Sequence, residues 1–330
     1  MPRPPLFALL LHLLAGAAAK LVPIRVPLAQ SAVLPGLAAL ESALEDHGGD
    51  TTGILLTLEQ QQDGEAAVAM GGDKDEEEEV RFTQSIRSAM RRCRFPVIAV
   101  ADGCVTGALA SVFLASPYRI CTSRARYAVD SCRRGEIPGP SALEHLAALS
   151  EAEPHIALAT ALGALDLRAH DMTATHLATH FAPREALPDL RAELLSSPAD
   201  YYDVPIARRC SKEAPPHLVP LYAAEKAAPL HGALYAAFGP HVKSVAELVE
   251  RLDAQRRIAR DHAAQLANEP CGIHIRTRER ADAVRDALDA AGSSLSTSCP
   301  SVLEETFAAF RTAIEERHSA PSRVRRSSTR

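Results

Sequence analysis

The stretch Pro96-Val-Ile-Ala-Val-Ala-Asp-Gly103-Cys-Val-Thr-Gly107-Ala-Leu-Ala-Ser111 decides the fold. Val97 to Val100 is a short apolar run bounded by turn signals, the pattern of a buried strand. Asp102-Gly103 turns the chain, and Gly107 allows close backbone approach where a helix begins. Working upstream, Thr51-Thr-Gly-Ile-Leu-Leu-Thr-Leu58 reads as another buried strand, and Leu37 to Leu44 has helical apolar spacing. A basic helix is expected over Arg81 to Arg94, directly before the 97–100 strand. Downstream of Pro215 strand signals fade, and Val245 to Leu266 and Arg278 to Ala290 carry apolar residues at helical spacing with charged residues between them. Alternating strand and helix followed by helix alone specifies an α/β fold with a helical C-terminal region.

With 330 residues, 47% hydrophobic and 23% charged, the chain can bury a substantial core. Its formal charge of −5 and pI near 6.2 argue against an extensive nucleic-acid-binding face, because phosphate contacts need clustered Lys and Arg, and leave room only for a local basic patch. The 7 cysteines form no CxxC pair and are odd in number, so they read as reduced thiols without a zinc motif. His176 and His180 are spaced to share one helix face, but the Glu of a zinc hydrolase is missing between them, and they read as structural. Gly71-Gly72 lacks the Lys-Ser/Thr of a phosphate loop. Residues 60–79 form a polar insertion ending in Asp75-Glu-Glu-Glu-Glu79, expected to be a solvated loop. Residues 1–40 contain no Asp or Glu, and Arg3, Lys20 and Arg25 flank the apolar run Leu6 to Ala19. That run is short for a membrane span; its acid-free basic flanks point to a mitochondrial import leader, with a secretory h-region, given Ala15, Ala17 and Ala19, as the alternative.

The 96–111 stretch resembles the crotonase (enoyl-CoA hydratase/isomerase) family, with Asp102 in place of an Asn and Ala108-Leu109 in place of two glycines. The resemblance implies a spiral of ββα units and two backbone N–H groups aimed at a thioester oxygen, helped by a helix N-terminus. It assigns those donors to Ala108 and, through Ala67-Val-Ala-Met-Gly-Gly-Asp73, to Met70. A CoA thioester is the ligand this implies, with no other cofactor and no metal. Met70 and the missing glycines are expected to fill part of the acyl space, and CoA binding is correspondingly doubtful. Leu162-Gly-Ala-Leu-Asp, Ala178-Thr-His-Phe181, Phe238 to Leu252 and Ser294 to Thr306 are similar to the 3-hydroxyisobutyryl-CoA hydrolase branch. The organisation expected from it is a leader at 1–20, a crotonase-like core at 21–213, a helical region at 214–318 and a basic tail at 319–330.

Within that branch the catalytic loop resembles Tyr127-Ala-Val-Asp-Ser-Cys-Arg-Arg-Gly-Glu-Ile-Pro-Gly139. The alignment puts Ser131 and Gly139 where a proton-handling Glu and Asp belong, and Ser111 at the further Glu of hydratases. None of these side chains is a general base, and each lost acid–base group typically forfeits about 10² to 10⁴ in rate. Asp130 and Glu136 are neighbouring carboxylates, read as solvated loop acids. The branch also contains a non-catalytic component of the mitochondrial small ribosomal subunit, and the degraded loop with an acid-free leader resembles that case. The expectation is therefore a pseudoenzyme of the mitochondrial matrix, with ribosomal proteins as partners, no membrane, and limited rRNA contact through Arg323, Arg325, Arg326 and Arg330. The alternatives are a thioester hydrolase with a displaced carboxylate and an inactive partner of an acyl-CoA enzyme.

Overall fold

The computed structural model describes residues 20–27, 51–59, 85, 88–90, 96–129, 131–197, 201–212, 228–268 and 275–319. The strands are β1 (Lys20–Pro27), β2 (Thr51–Glu59), β3 (Val97–Asp102), β4 (Cys104–Val105), β5 (Tyr118–Cys121), β6 (Arg126–Ala128), β7 (Asp166–Arg168) and β8 (His180–Phe181). The helices are α1 (Gly107–Ala115), α2 (Ser131–Arg134), α3 (Pro140–Leu149), α4 (Pro154–Ala161), α5 (Ala169–Ala174), α6 (Leu187–Ser196), α7 (Asp203–Arg209), α8 (Ala228–Phe238), α9 (Val245–Asn268), α10 (Ile275–Thr297) and α11 (Pro300–Ser319). Residues 1–19 of the expected leader, the helix expected at Leu37 to Leu44, the acidic insertion and residues 320–330 of the expected tail lie outside the described residues, while Lys20 begins β1 and Ser319 ends α11. Of the helix expected over Arg81 to Arg94, Ser85 and Ser88 to Met90 are described, and they are helical.

The chain forms two compact units, one of residues 1–126 and 168–219, the other of residues 127–167 and 220–330. The first is built on a parallel sheet of order β1-β2-β3-β5-β8. Residues 53–58 and 97–102 are buried without interruption, as continuous apolar runs in a parallel sheet require. Pairing runs from Ile54 opposite Val97 to Ile98 opposite Tyr118 and Ile120 opposite His180. Parallel neighbours need a crossover, and α1 supplies it between β3 and β5. One face of the sheet presents Leu55, Ile98, Val100 and Ile120 to Leu190 and Leu194 of α6 and to Tyr202 and Ile206 beside and within α7.

Polar groups fix the ends of these strands. Arg119 donates from Nε to the Leu177 carbonyl at 2.7 Å, from Nη1 to Ser116 at 2.8 Å and from Nη2 to His176 at 3.1 Å. Thr179 closes the same turn: its backbone N–H bonds the Arg119 carbonyl at 2.8 Å, and its hydroxyl accepts from the Arg119 N–H at 2.9 Å.

The second unit is helical around α4, whose residues from His155 to Ala161 are all buried. Helix α8 packs on α4, α9 on α8, α10 on α9, and α11 on α3. Along α9 the buried positions Leu248, Leu252, Ala259 and Ala263 recur at helical spacing, as the sequence periodicity predicts. Arg256 and Arg260 of α9 both reach Asp289 of α10, at 3.0 and 2.7 Å, adding register between the helices more than stability.

Replacing Ile98, fully buried in β3, with Ala should lower the unfolding free energy by about 2–5 kcal/mol. Urea denaturation of the variant beside the parent protein measures this.

Candidate functional site

In the first unit, β3 ends at Asp102, and the chain passes through β4 into α1. Thr106 is the N-cap, in extended conformation and without a side-chain cap, so Gly107 and Ala108 occupy the first turn. First-turn amides have no acceptor within the helix, and the Ala108 N–H is one of them. A donor at a helix N-terminus can stabilise negative charge on an oxygen, the role that the family resemblance implies for Ala108. Met70, the other expected donor, lies outside the described residues. Ser111 is buried in α1. Asp102 is buried too, and its carboxylate has a structural use: Oδ1 accepts from Thr122 at 2.6 Å and Oδ2 from Arg184 Nε at 3.2 Å.

The Tyr127 to Gly139 segment belongs to the second unit, and Ala108 and Ser111 to the first. Ser131 opens α2, and the helix ends after Arg134 in a Schellman cap. The Glu136 N–H bonds the Ser131 carbonyl at 2.9 Å, the Gly135 N–H bonds Cys132 at 3.2 Å, and Gly135 adopts φ +82°. Gly139 is the N-cap of α3, with Pro140 at the first helical position and the Gly139 carbonyl accepting from Ala142 and Leu143. Glu136 is bound to Arg134 at 2.8 Å. Asp130 lies outside the described residues.

The same segment is fastened by groups the sequence reading did not single out. Arg133 donates from Nη2 to the Gly163 carbonyl at 2.6 Å and from Nε to Ser294 Oγ at 2.7 Å, while Ser294 donates to the same carbonyl at 2.6 Å. Gly163 terminates α4 at φ +71°, and a Cβ there would stand 2.8 Å from the Val129 carbonyl oxygen. Cys132 is buried, its sulfur 3.4 Å from the Thr306 hydroxyl. A cavity of about 460 Å³ in this unit is lined by Leu158, Phe238, Val242, Phe307 and Phe310, with Arg311 among its polar residues.

His176 and His180 do not share a helix face. Helix α5 stops at Ala174, His176 has φ +59°, and His180 begins β8. A left-handed residue breaks helical spacing, and the i, i+4 pattern has no meaning across it. A different histidine pair does meet. His231 Nε2 lies 3.2 Å from Glu153 Oε2, His155 Nε2 lies 3.7 Å from the same oxygen, and the two rings are edge-on at 4.3 Å. Burial, and then His231, push the His155 imidazole down to about 4. These residues come from α8 and from the start of α4, and their separation in sequence hides them from any motif reading.

The free thiols differ in environment. Burial pushes Cys121 and Cys210 up to about 12 and raises Cys132, whereas hydrogen bonding with Ser301 lowers exposed Cys299.

A family model described as enoyl-CoA hydratase/isomerase matches residues 48–320. The crystal structure of a carnitinyl-CoA dehydratase from Mycobacterium thermoresistibile is similar with a TM-score of 0.58 at 20% identity, over 86% of this chain and 72% of that one. An enoyl-CoA hydratase from Rhodobacter sphaeroides 2.4.1 is similar with a TM-score of 0.57 at 17% identity, over 87% of this chain and 75% of that one. At these identities the likeness is one of fold. No curated protein matches the chain.

Two glycine substitutions separate backbone strain from steric exclusion. Gly135→Ala meets nothing within 4 Å and should cost about 1 kcal/mol for its positive φ alone. Gly163→Ala adds the clash with Val129 and should cost more than about 2 kcal/mol, both read from chemical denaturation. Thiolate is the reactive form, so maleimide at neutral pH should modify Cys299 before Cys121, Cys132 and Cys210, as peptide mass spectrometry will resolve.

Proposed function

The chain belongs to the enoyl-CoA hydratase/isomerase family, and from that premise we propose that it is a non-catalytic, hydrolase-like crotonase protein serving as a component of the mitochondrial small ribosomal subunit. One observation carries the reading. Matched through the branch resemblance, the proton-handling loop positions fall on Ser131 and Gly139 and the hydratase position on Ser111, and none of these carries a carboxylate. The local structure favours the same reading, since Ser131 and Gly139 serve as helix-terminus residues and Glu136 is engaged by Arg134. Acyl-CoA chemistry in this fold needs a base within hydrogen-bond reach of the proton it moves, and an oxyanion hole alone does not supply one.

The placement in mitochondria follows from the acid-free residues 1–40, and the placement at the ribosome from the branch resemblance joined to the lost chemistry. A net charge of −5 favours docking on protein neighbours over burial in rRNA, whose phosphates demand a basic surface. RNA contact is then concentrated in Arg323, Arg325, Arg326 and Arg330 of the tail. Among the described residues no helix is long and apolar enough to cross a membrane.

Tagged full-length protein should co-sediment with mitochondrial small subunits at low salt, and a free small oligomer would end the ribosomal reading. Removing residues 319–330 should weaken that association modestly and reduce its salt dependence. Purified protein should not turn over 3-hydroxyisobutyryl-CoA. A rate within about tenfold of the enzyme median near 10 s⁻¹ would overturn the pseudoenzyme, after which Asp130→Asn and Glu136→Gln identify a relocated base. Calorimetry with a CoA thioester should show binding weaker than about 10 μM, or roughly −7 kcal/mol, if Met70 and Ala108-Leu109 fill the acyl space.

A further inference from the structure

We infer that Glu153, His155 and His231 are the protein ligands of a divalent transition-metal ion, with zinc the ion best matched to the donor set. One atom from each residue can be chosen so that all lie within 4.8 Å of one another. In a tetrahedral zinc site with bonds of about 2.0–2.1 Å, neighbouring donors stand roughly 3.3 Å apart. Glu153 Oε2 is 3.2 Å from His231 Nε2 and 3.7 Å from His155 Nε2, so the carboxylate stands near the tetrahedral donor separation from both imidazoles.

The buried histidine supplies an independent reason. His155 is only 1% exposed, yet neither of its ring nitrogens makes a hydrogen bond. Buried polar atoms are rarely left without a partner, because the desolvation cost is then uncompensated. A metal ion takes up the Nε2 lone pair and so accounts for the nitrogen that faces Glu153. Glu153 strengthens the case by what it does not do: it is the N-cap of α4 and makes no side-chain cap hydrogen bond, its carboxylate being directed to the imidazoles.

The site is rigid on one side and open on the other. His155 sits on α4 and His231 on α8, which pack together, and Tyr235 lies edge-on to the His155 ring at 5.5 Å. The Glu153 and His231 side chains are 29% and 39% exposed, which gives an ion a route in and leaves room for water as a fourth ligand. Two nitrogens and one carboxylate oxygen suit zinc or cobalt in preference to the oxygen-seeking magnesium and calcium. Once bound, the ion joins α4 to α8 and stabilises the second unit by mass action. The site lies outside the residues invoked for acyl-CoA chemistry and stands whether or not the ribosomal reading holds.

The test uses the full chain, stripped with a chelator and titrated with Zn²⁺ alone and with Co²⁺ alone. One equivalent of each should bind, Co²⁺ should show the visible d–d bands of a four-coordinate N/O site, and Zn²⁺ should raise the Tm. Glu153→Gln and His231→Gln are the informative variants, since both positions are partly exposed and tolerate polar replacement. Each should weaken Zn²⁺ binding more than about tenfold, the loss caused even by groups that only support a ligand, and remove the Tm rise. His155→Asn is the harsher companion. Absence of stoichiometric binding, unchanged affinity in both partly exposed variants, or a sulfur-to-cobalt charge-transfer band pointing to the cysteines would each overturn the assignment.

Discussion

Parallel strands buried on both faces cannot be joined by hairpins, and each pair therefore commits the chain to a crossover. Here β3, α1 and β5 meet that demand within about two dozen residues, and the need for close packing explains why the turn at Asp102-Gly103 is so heavily bonded. Asp102 contributes to it from both carboxylate oxygens, one to the residue following β5 and one to Arg184. An Asn would offer a single carbonyl acceptor in place of two charged oxygens, so the substitution strengthens the turn as scaffold. The first amides of α1 keep their orientation whatever side chains follow them.

In the second unit a peptide carbonyl plays the corresponding part. The Gly163 oxygen receives Arg133 and Ser294 at once, and its own residue is held left-handed against the Val129 carbonyl. The segment from Ser131 to Gly139 is thereby fixed by backbone caps and by one guanidinium, with Ser131 and Gly139 acting through main-chain atoms. Whatever its chemistry, the loop ends one helix and begins the next.

The sequence made β2, β3 and the long helices α9 and α10 legible, because unbroken apolar runs and helical periodicity survive without tertiary context. The family pattern located the α1 turn. It did not reveal the composition of the compact units: residues 127–167 pack with residues 220–330 because strand-to-helix excursions return in space to partners far along the chain. His176 and His180 mislead for a local reason, since nothing in Ala174-Thr-His176 announces a positive φ at a non-glycine. Glu153, His155 and His231 are invisible for the opposite reason. Their proximity depends on α8 laying itself on α4, and a histidine in an apolar helix reads as ordinary core.

Arg119 bears on how the turn between α5 and β8 breathes. That turn is irregular in backbone, yet the amides of His176, Ala178 and Thr179 are bonded to the carbonyls of Thr173, Met172 and Arg119, and the guanidinium binds the carbonyls of His176 and Leu177. Amide exchange follows the free energy of local opening, not the regularity of the ribbon. By that rule the turn opens together with the sheet edge it supports, which puts the boundary of the cooperative unit beyond β8 instead of before it.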